Sequence, residues 1–262
     1  MILEKIAKRT VERVAELKQR KPVEQVVSEA QALAPNTGFL FEDVLRAEGL
    51  SFICEIKKAS PSKGIIAQNF PYLQIAKEYE AAGASAISVL TEPYWFQGQD
   101  RYLTEVSREV GLPLLRKDFI IDSYQIYEAK IIGASAVLLI CALLNTETLK
   151  KYLEIAQSLG LSALVEAHTE EEVKSALAAG ARVIGVNNRN LKTFEVDLTT
   201  SIRLRSLVPA DILFISESGI KSPEDIAMLK AKGTDAVLIG ESLMRSADKK
   251  EQLAILRGER TR

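Results

Sequence analysis

Four times along this 262-residue chain, a glycine is followed by one or two small or polar residues and then by an apolar run rich in β-branched side chains: GASAISVL from Gly83, GASAVLLI from Gly133, GARVIGVN from Gly180 and GTDAVLIG from Gly233. The starts lie about fifty residues apart, roughly twice the length of a strand–helix unit, and self-similarity at a fixed period signals stacked supersecondary units. Between them fall FICEIK, PLLRKDF, SALVEAH and ILFISES. The connecting segments carry helical spacing: Leu73, Ile75, Ala76 and Tyr79 before Gly83; Ile126, Ala129 and Ile132 before Gly133; Leu149, Leu153 and Ala156 before Gly160; Val173, Leu177 and Ala178 before Gly180. A glycine after the last turn is the expected helix stop. Helix starts are equally legible. Thr169 with Glu172 reads as a capping box, and Ser222-Pro223-Glu224-Asp225 supplies a cap, a proline at the first helical position and acids at the positive end of the dipole.

Strand and helix alternating through eight units imply an all-parallel sheet, and eight units favour closure into a (β/α)8 TIM barrel. An open doubly wound sheet is the competing topology. No GxGxxG follows the first strand, however, and polar residues end many strands rather than clustering at one switch point. The chain reads as a single barrel domain over residues 1–262, with an N-terminal helical extension over 1–50 and the barrel proper over 51–262. In the extension, Ile2, Leu3, Ile6, Val14 and Leu17 partly follow helical spacing, Pro22 interrupts, and Val23, Val26, Val27 and Ala30 resume it; Pro35-Asn36-Thr37-Gly38 is a turn. The expectation is two helices across one barrel end, plugging the core, walling the mouth, or both.

Composition narrows the function classes. A net charge of −1 gives no global attraction to nucleic acid or anionic membrane, and no long Lys/Arg run supplies a local one. No apolar stretch reaches the roughly 20 residues of a spanning helix, and the charged start MILEKIAKRTVERV lacks a signal-peptide core. Cys54 and Cys141 sit in apolar runs without CxxC spacing, so they read as reduced thiols of a cytoplasmic protein and no metal site is expected.

The chemistry lies at the strand ends. FICEIK ends in Glu55 and Lys57, PLLRK in Lys117, ALVE in Glu166, VIGVN in Asn187 and ILFISES in Glu217. Parallel strands bring these ends to one face, where barrels carry their active sites. Side chains alternate along a strand, so Glu55 and Lys57 share a face opposite Cys54 and Ile56; Leu115 carries Lys117 with it, Leu164 carries Glu166 and Ile215 carries Glu217. One terminal charge is often just a solvated loop residue, and paired charges can be structural. Three carboxylates and two ammonium groups spread over four strand ends look instead like tuned acids and bases. Glycines at the last two strand ends, in Ser216-Glu217-Ser218-Gly219 and Ile239-Gly240-Glu241-Ser242, leave backbone N–H groups open to an anion where barrels commonly hold phosphate, although tight turns would use them equally well. The first strand–helix loop, KKASPSKGIIAQN, is long, polar and basic, in keeping with a lid over an anionic substrate. The single histidine, His168, has no nucleophile to serve and reads as structural. Trp95 and Phe96 are placed to stack on an aromatic substrate or to cover the rim.

The segments CEIKKASPSKG, SVLTEPYWFQG, LLRKDFIID, LVEAH, IGVNNRNL, FISESGI and VLIGESLM resemble the signature segments of the indole-3-glycerol-phosphate synthase family, in order and on every unit but the fourth, and ILEKIAKRTVERV resembles its N-terminal extension. The resemblance implies a cofactor-free lyase of tryptophan biosynthesis. Such a lyase closes the ring of 1-(2-carboxyphenylamino)-1-deoxyribulose 5-phosphate with loss of carbon dioxide and water. It implies Lys117 as the acid at the ketone oxygen, Glu166 as the base of the dehydration with Lys57 a candidate acid, and Glu55 and Glu217 holding lysines and substrate hydroxyls. It further implies Asn187 on a substrate oxygen; Lys57, Ser60 and Arg189 on the two anionic ends; Ser218, Gly219, Gly240 and the N–H of Glu241 around the phosphate; and Phe96 and Phe119 along the aromatic pocket. Two departures stand out. Glu241 replaces a small residue of many relatives, so its carboxylate must turn from the phosphate, and FQGQDRYL lacks the serine often found after its glycine. The expected partner is a small phosphorylated substrate; the expected state is a monomer, with association with other pathway enzymes left open. A Schiff-base aldolase, a phosphoribosylanthranilate isomerase and a catalytically silent phosphate-binding barrel are the competing readings.

Overall fold

The computed structural model describes residues 2–33 and 38–259. Eight parallel strands close a barrel: β1 (Ser51–Ile56), β2 (Ala86–Leu90), β3 (Leu114–Lys117), β4 (Ala136–Ile140), β5 (Ser162–Ala167), β6 (Val183–Asn187), β7 (Leu213–Glu217) and β8 (Ala236–Ile239), each paired with its sequence neighbour and β1 with β8. The fold is therefore the TIM barrel expected from the strand–helix alternation. The predicted parity holds as well. Ile53, Leu115, Leu164 and Ile215 belong to the apolar cluster inside the barrel, whereas Cys54, Ile56, Ile87, Val137, Val165 and Val237 belong to the shell between strands and helices.

The outer layer is built from α4 (Tyr72–Ala81), α5 (Asp100–Glu109), α6 (Tyr124–Ile131), α7 (Thr146–Ser158), α8 (Glu170–Ala179), α9 (Thr199–Arg205), α10 (Pro223–Ala231), the single turn α11 (Glu241–Arg245) and α12 (Lys249–Leu256). Gly83, Gly133, Gly160 and Gly180 take up left-handed backbone where helices were expected to stop. At Ser222 the capping box is reciprocal: the hydroxyl accepts the Asp225 N–H and the Asp225 carboxylate accepts the Ser222 N–H. At Thr169 only half of the expected box forms. The hydroxyl accepts the Glu172 N–H at 3.2 Å, but the Glu172 carboxylate takes the N–H of His168 at 2.6 Å instead. At α5 the missing serine has a visible consequence, since Gln99 occupies the N-cap position without a side-chain hydrogen bond.

The extension departs from expectation. Its described residues contain three helices, α1 (Ile2–Arg20), α2 (Val23–Ala32) and α3 (Leu40–Leu45), and they do not share one barrel end. Along α1, Leu3, Ile6, Thr10 and Val14 face inward, with Ile2, Leu3 and Ile6 reaching the catalytic-side mouth. Val14 and Val26 of α1 and α2 pack on Tyr124 of α6. The short α3 sends Phe41 and Leu45 into the opposite end of the barrel, among Ile53, Ala86, Leu164 and Val183. Walling and plugging are thus both present, divided between different helices. Its small size and the absence of a long amphipathic repeat left α3 unseen in the sequence. Of the expected turn at 35–38, only Gly38 lies within the described residues. Among the described residues no helix is long and apolar enough to cross a membrane, and no group of three or more His, Cys, Asp or Glu is arranged to hold a metal ion.

Candidate active site

At the carboxyl ends of the strands lies a cavity of about 600 Å³. It is lined by Glu55, Lys57, Lys117, Glu166, Asn187, Glu217 and Ser218, and by Ser60, Phe96, Phe119, Arg189, Gly219, Gly240 and Glu241, so every residue to which the resemblance gave a role meets there. Trp95 does not line it; its ring packs edge-on to Tyr94 at 6.0 Å.

The charges fall into two groups. Glu55 on β1 and Lys57 just beyond it form one ion pair directly. Lys117, at the end of β3, lies between two carboxylates, 3.7 Å from Glu166 Oε2 and 3.5 Å from Glu217 Oε2. Both separations exceed the roughly 2.7–2.9 Å of a charge-assisted hydrogen bond. Lys117 therefore sits in a negative field with donors still available. Burial pushes the lysine toward its neutral form, but Glu217, Glu166 and Glu55 outweigh it and raise its pKa, so it stays an ammonium. For Glu217 burial wins: with both carboxylate oxygens buried and lacking hydrogen-bond partners, its pKa is pushed up to about 7 despite Lys117. Burial also raises Glu55, yet Lys57 and Lys117 overcome it and hold that carboxyl below its ordinary range.

Two glycines make room for these groups. A Cβ on Gly185, inward-facing on β6, would lie 2.3 Å from Glu217 Oε1 and 2.8 Å from Leu164 Cδ1. A Cβ on Gly240 would lie 2.3 Å from Glu55 Oε1 and 3.0 Å from Lys57 Nζ. The glycine at the end of β8 is thus required first by the Glu55–Lys57 pair, a reason that the reading of that loop as an open anion cradle had not included.

The Ser218–Gly219 loop is held from behind. Asn188, buried one residue beyond β6, donates through Nδ2 to the carbonyls of Glu217 and Ser218 and to Ser216 Oγ, each at 3.0 Å, while its Oδ1 accepts from the Ser201 N–H and hydroxyl. This fixes Ser218 in left-handed backbone at φ 68°, which a non-glycine residue seldom adopts unaided. Ser242 lines the cavity at the start of α11 with a buried hydroxyl that has no partner; the sequence reading missed it, although a serine after the strand-end glycine at a helix start was the available signal. The Glu241 carboxylate pairs with Arg245 Nε at 3.2 Å and lies 3.8 Å from Lys63. Lys63 belongs to the first strand–helix loop, where Ala59–Ser60 pairs with Gly64–Ile65 as a small hairpin.

On the other side, Phe96 and Phe119 face one another at 5.9 Å. Buried Glu92 shapes the Phe96 loop by accepting the N–H groups of Tyr94, Trp95 and Phe96 at 2.8–2.9 Å. Asp118, between Lys117 and Phe119, is pinned by Arg13 of α1 and by Thr91, each at 2.8 Å. Asn187 donates to Glu166 Oε2 at 3.3 Å and accepts the Arg189 N–H at 3.0 Å. His168, read as structural, turns its Nε2 toward Glu166 Oε1 at 3.6 Å.

A closed parallel barrel that gathers ammonium groups, carboxylates and glycine-rich loops at its C-terminal mouth defines a (β/α)8 enzyme acting on a small phosphorylated molecule. More narrowly, the chain belongs to the indole-3-glycerol phosphate synthase family, whose profile matches residues 3–256. Proteins named indole-3-glycerol phosphate synthase from Ruminiclostridium cellulolyticum and Endomicrobium trichonymphae are 63% and 56% identical to it, each over 98% of this chain and 99% and 100% of their own length. Among solved structures, 3-hexulose-6-phosphate synthase from Salmonella typhimurium shares the fold at a TM-score of 0.66, with 13% identity over 80% of this chain and 97% of that one. A mutant tryptophan synthase α-subunit from Pyrococcus furiosus does so at 0.60, with 16% identity over 79% and 98%.

Proposed function

We propose that the protein is an indole-3-glycerol phosphate synthase, a decarboxylating lyase of tryptophan biosynthesis, and that the cup residues divide its work as follows. The substrate folds with its phosphate at the Ser218–Gly219 and Gly240–Ser242 loops and its carboxyphenyl ring against Phe96 and Phe119, so that the ring carbon bearing the carboxylate approaches the ketone. Lys117 gives a proton to the ketone oxygen as the carbon–carbon bond forms, Glu217 and Glu166 keeping the amine charged until then. The carbon–carboxylate bond breaks next and carbon dioxide departs. Dehydration follows: Glu166 removes a carbon-bound proton while the hydroxyl leaves as water, protonated by Lys57 or Lys117. Asn187 orients Glu166, and Glu55 holds Lys57. Lys57, Ser60 and Arg189 meet the substrate's anionic ends, and Glu217, with its unsatisfied oxygens, accepts from substrate hydroxyls.

The observation that carries this reading is the placing of Lys117 Nζ within 3.7 Å of two carboxylates, on a cavity with a phenylalanine pair at one side and two glycine loops at another. It speaks against a Schiff-base aldolase, since a nucleophilic lysine must be neutral and Lys117 is driven the other way. The direct test is indole fluorescence after adding the carboxyphenylamino sugar phosphate to purified protein. A rise in step with carbon dioxide release is expected; no indole product would sink the reading, and a borohydride-trapped lysine adduct would put the aldolase in its place.

A further inference from the structure

The ring of His168 is bracketed by carboxylates on both nitrogens. Nδ1 lies 3.2 Å from Glu172 Oε2, an oxygen that also accepts the His168 backbone N–H at 2.6 Å. Nε2 lies 3.6 Å from Glu166 Oε1, buried and without a hydrogen-bond partner. A neutral imidazole carries one N–H. If that proton serves Glu172, a lone pair faces Glu166, and two electron-rich atoms oppose each other in a buried site. Only the doubly protonated ring makes both contacts attractive.

Glu166 is correspondingly two-sided. Its Oε2 takes the Asn187 amide at 3.3 Å and faces Lys117 at 3.7 Å, toward the cup; its Oε1 faces His168, away from it. We infer that His168 is a positioning residue for Glu166: held by Glu172 at one nitrogen and facing Glu166 with the other, it fixes the rotation of the Glu166 carboxylate so that Oε2 is presented to the cup. This rests on the reading of Glu166 as the base of the dehydration.

The charged surroundings agree. Burial lowers the imidazole's proton affinity, but the hydrogen bond to Glu172 and the charges of Glu166, Glu172 and Glu217 outweigh it, so the pKa lies above its ordinary 6.5. Lys117 approaches the opposite oxygen of Glu166 rather than the ring. From the β4 side, Cys141 touches the Glu172 carbonyl through its thiol, which burial keeps protonated with a pKa of about 12, so no competing anion arises there. The Glu172 carboxylate that fails to close the capping box at Thr169 is thereby explained: it is engaged with His168.

His168 is the single histidine of the chain, which makes its titration unambiguous. Ring nitrogen shifts followed by ¹⁵N NMR against pH in the intact protein are expected to give a pKa above 6.5, lowered in both Glu172→Gln and Glu166→Gln. Kinetically, His168→Asn is expected to lower kcat about tenfold with KM within about twofold. Glu172→Gln, which retains the ring, lowers kcat in the same way by less, and decides the matter if the asparagine variant does not fold. A pKa at or below 6.5, a titration indifferent to Glu166→Gln, or an unchanged kcat in His168→Asn would overturn the inference. If Glu166→Gln itself turns over normally, the base assignment fails and takes the role of His168 with it. If Glu166→Gln is inactive while the His168 variant keeps the wild-type kcat, only the inference about His168 falls.

Discussion

The two ends of the barrel are made by the same eight strands with the same alternation, yet they are finished in opposite ways. At the amino-terminal end, α3 inserts Phe41 and Leu45 among Ile53, Ala86 and Val183, and its one buried carboxylate, Glu42, is matched by the Arg182 guanidinium at 2.8–3.2 Å. At the carboxyl-terminal end, Glu217 is as deeply buried but its oxygens have no hydrogen-bond partner, and Lys117 stands off from both of its carboxylates. A side-chain set that is satisfied internally stabilises the fold. One left incomplete costs stability and is completed by a ligand. The first end holds the barrel shut, and the second is where a molecule completes the set of contacts.

Substitutions at the two ends should therefore separate stability from turnover. The largest effect is expected from Phe41→Ala, which empties a fully buried site; unfolding in urea should show a loss of about 3–5 kcal/mol, with kcat per folded molecule nearly unchanged. A comparable loss of turnover would mean that the plug and the cup are one unit. Lys117→Ala and Glu166→Gln should do the reverse, each lowering kcat by about a hundredfold or more with circular dichroism unaltered; near-normal rates would end both assignments. Gly185→Ala tests the boundary between the ends, because its methyl group would strike Glu217 Oε1 and Leu164. A loss of about 1–3 kcal/mol together with a fall in kcat is expected, and retained activity would show that Glu217 need not occupy its present place. Glu42→Gln should cost no more than about 1 kcal/mol, since Arg182 is partly solvated.

The smallest expected effect is one of pH. The Glu217 carboxyl is raised from its ordinary 4.5 to about 7, so the stability it contributes is complete below the unfolded value and is lost as pH rises through about 7. The stability difference between the wild type and Glu217→Gln should accordingly move in favour of the variant as pH rises from about 5 to about 8. A difference constant with pH would mean that Glu217 is ionised throughout. Asp118 has the opposite sign. Burial raises its carboxyl, but Arg13 and Arg116 outweigh burial and hold it below 3.8, so its contribution is present at neutral pH and lost only as pH falls through that lowered value.

Much of this molecule can be read from single segments, because strand alternation and helix spacing are local. Glu55, Lys117, Glu166 and Glu217 could be assigned to one face of their strands without knowing any partner, since parity follows from the period of two. Ser218 and Gly219 could be set beside a strand end for the same reason. The division of the N-terminal helices could not be read so. The spacing of Leu3, Ile6 and Val14 shows that α1 has a buried side, but not that this side begins at the cup's mouth, and six residues of α3 carry too little pattern to be recognised.

What the sequence determined by itself was the repeating unit, its number, and the chemical types that end each strand, all read from patterns over a few residues. Tertiary structure alone decided the pairings: that Lys117 stands between Glu166 and Glu217, that Gly240 yields its space to Glu55, and that His168 faces Glu166 rather than solvent. Electrostatic and steric contacts fall off over a few ångströms in space. They are therefore fixed by how the barrel closes and cannot be reckoned from separation along the chain.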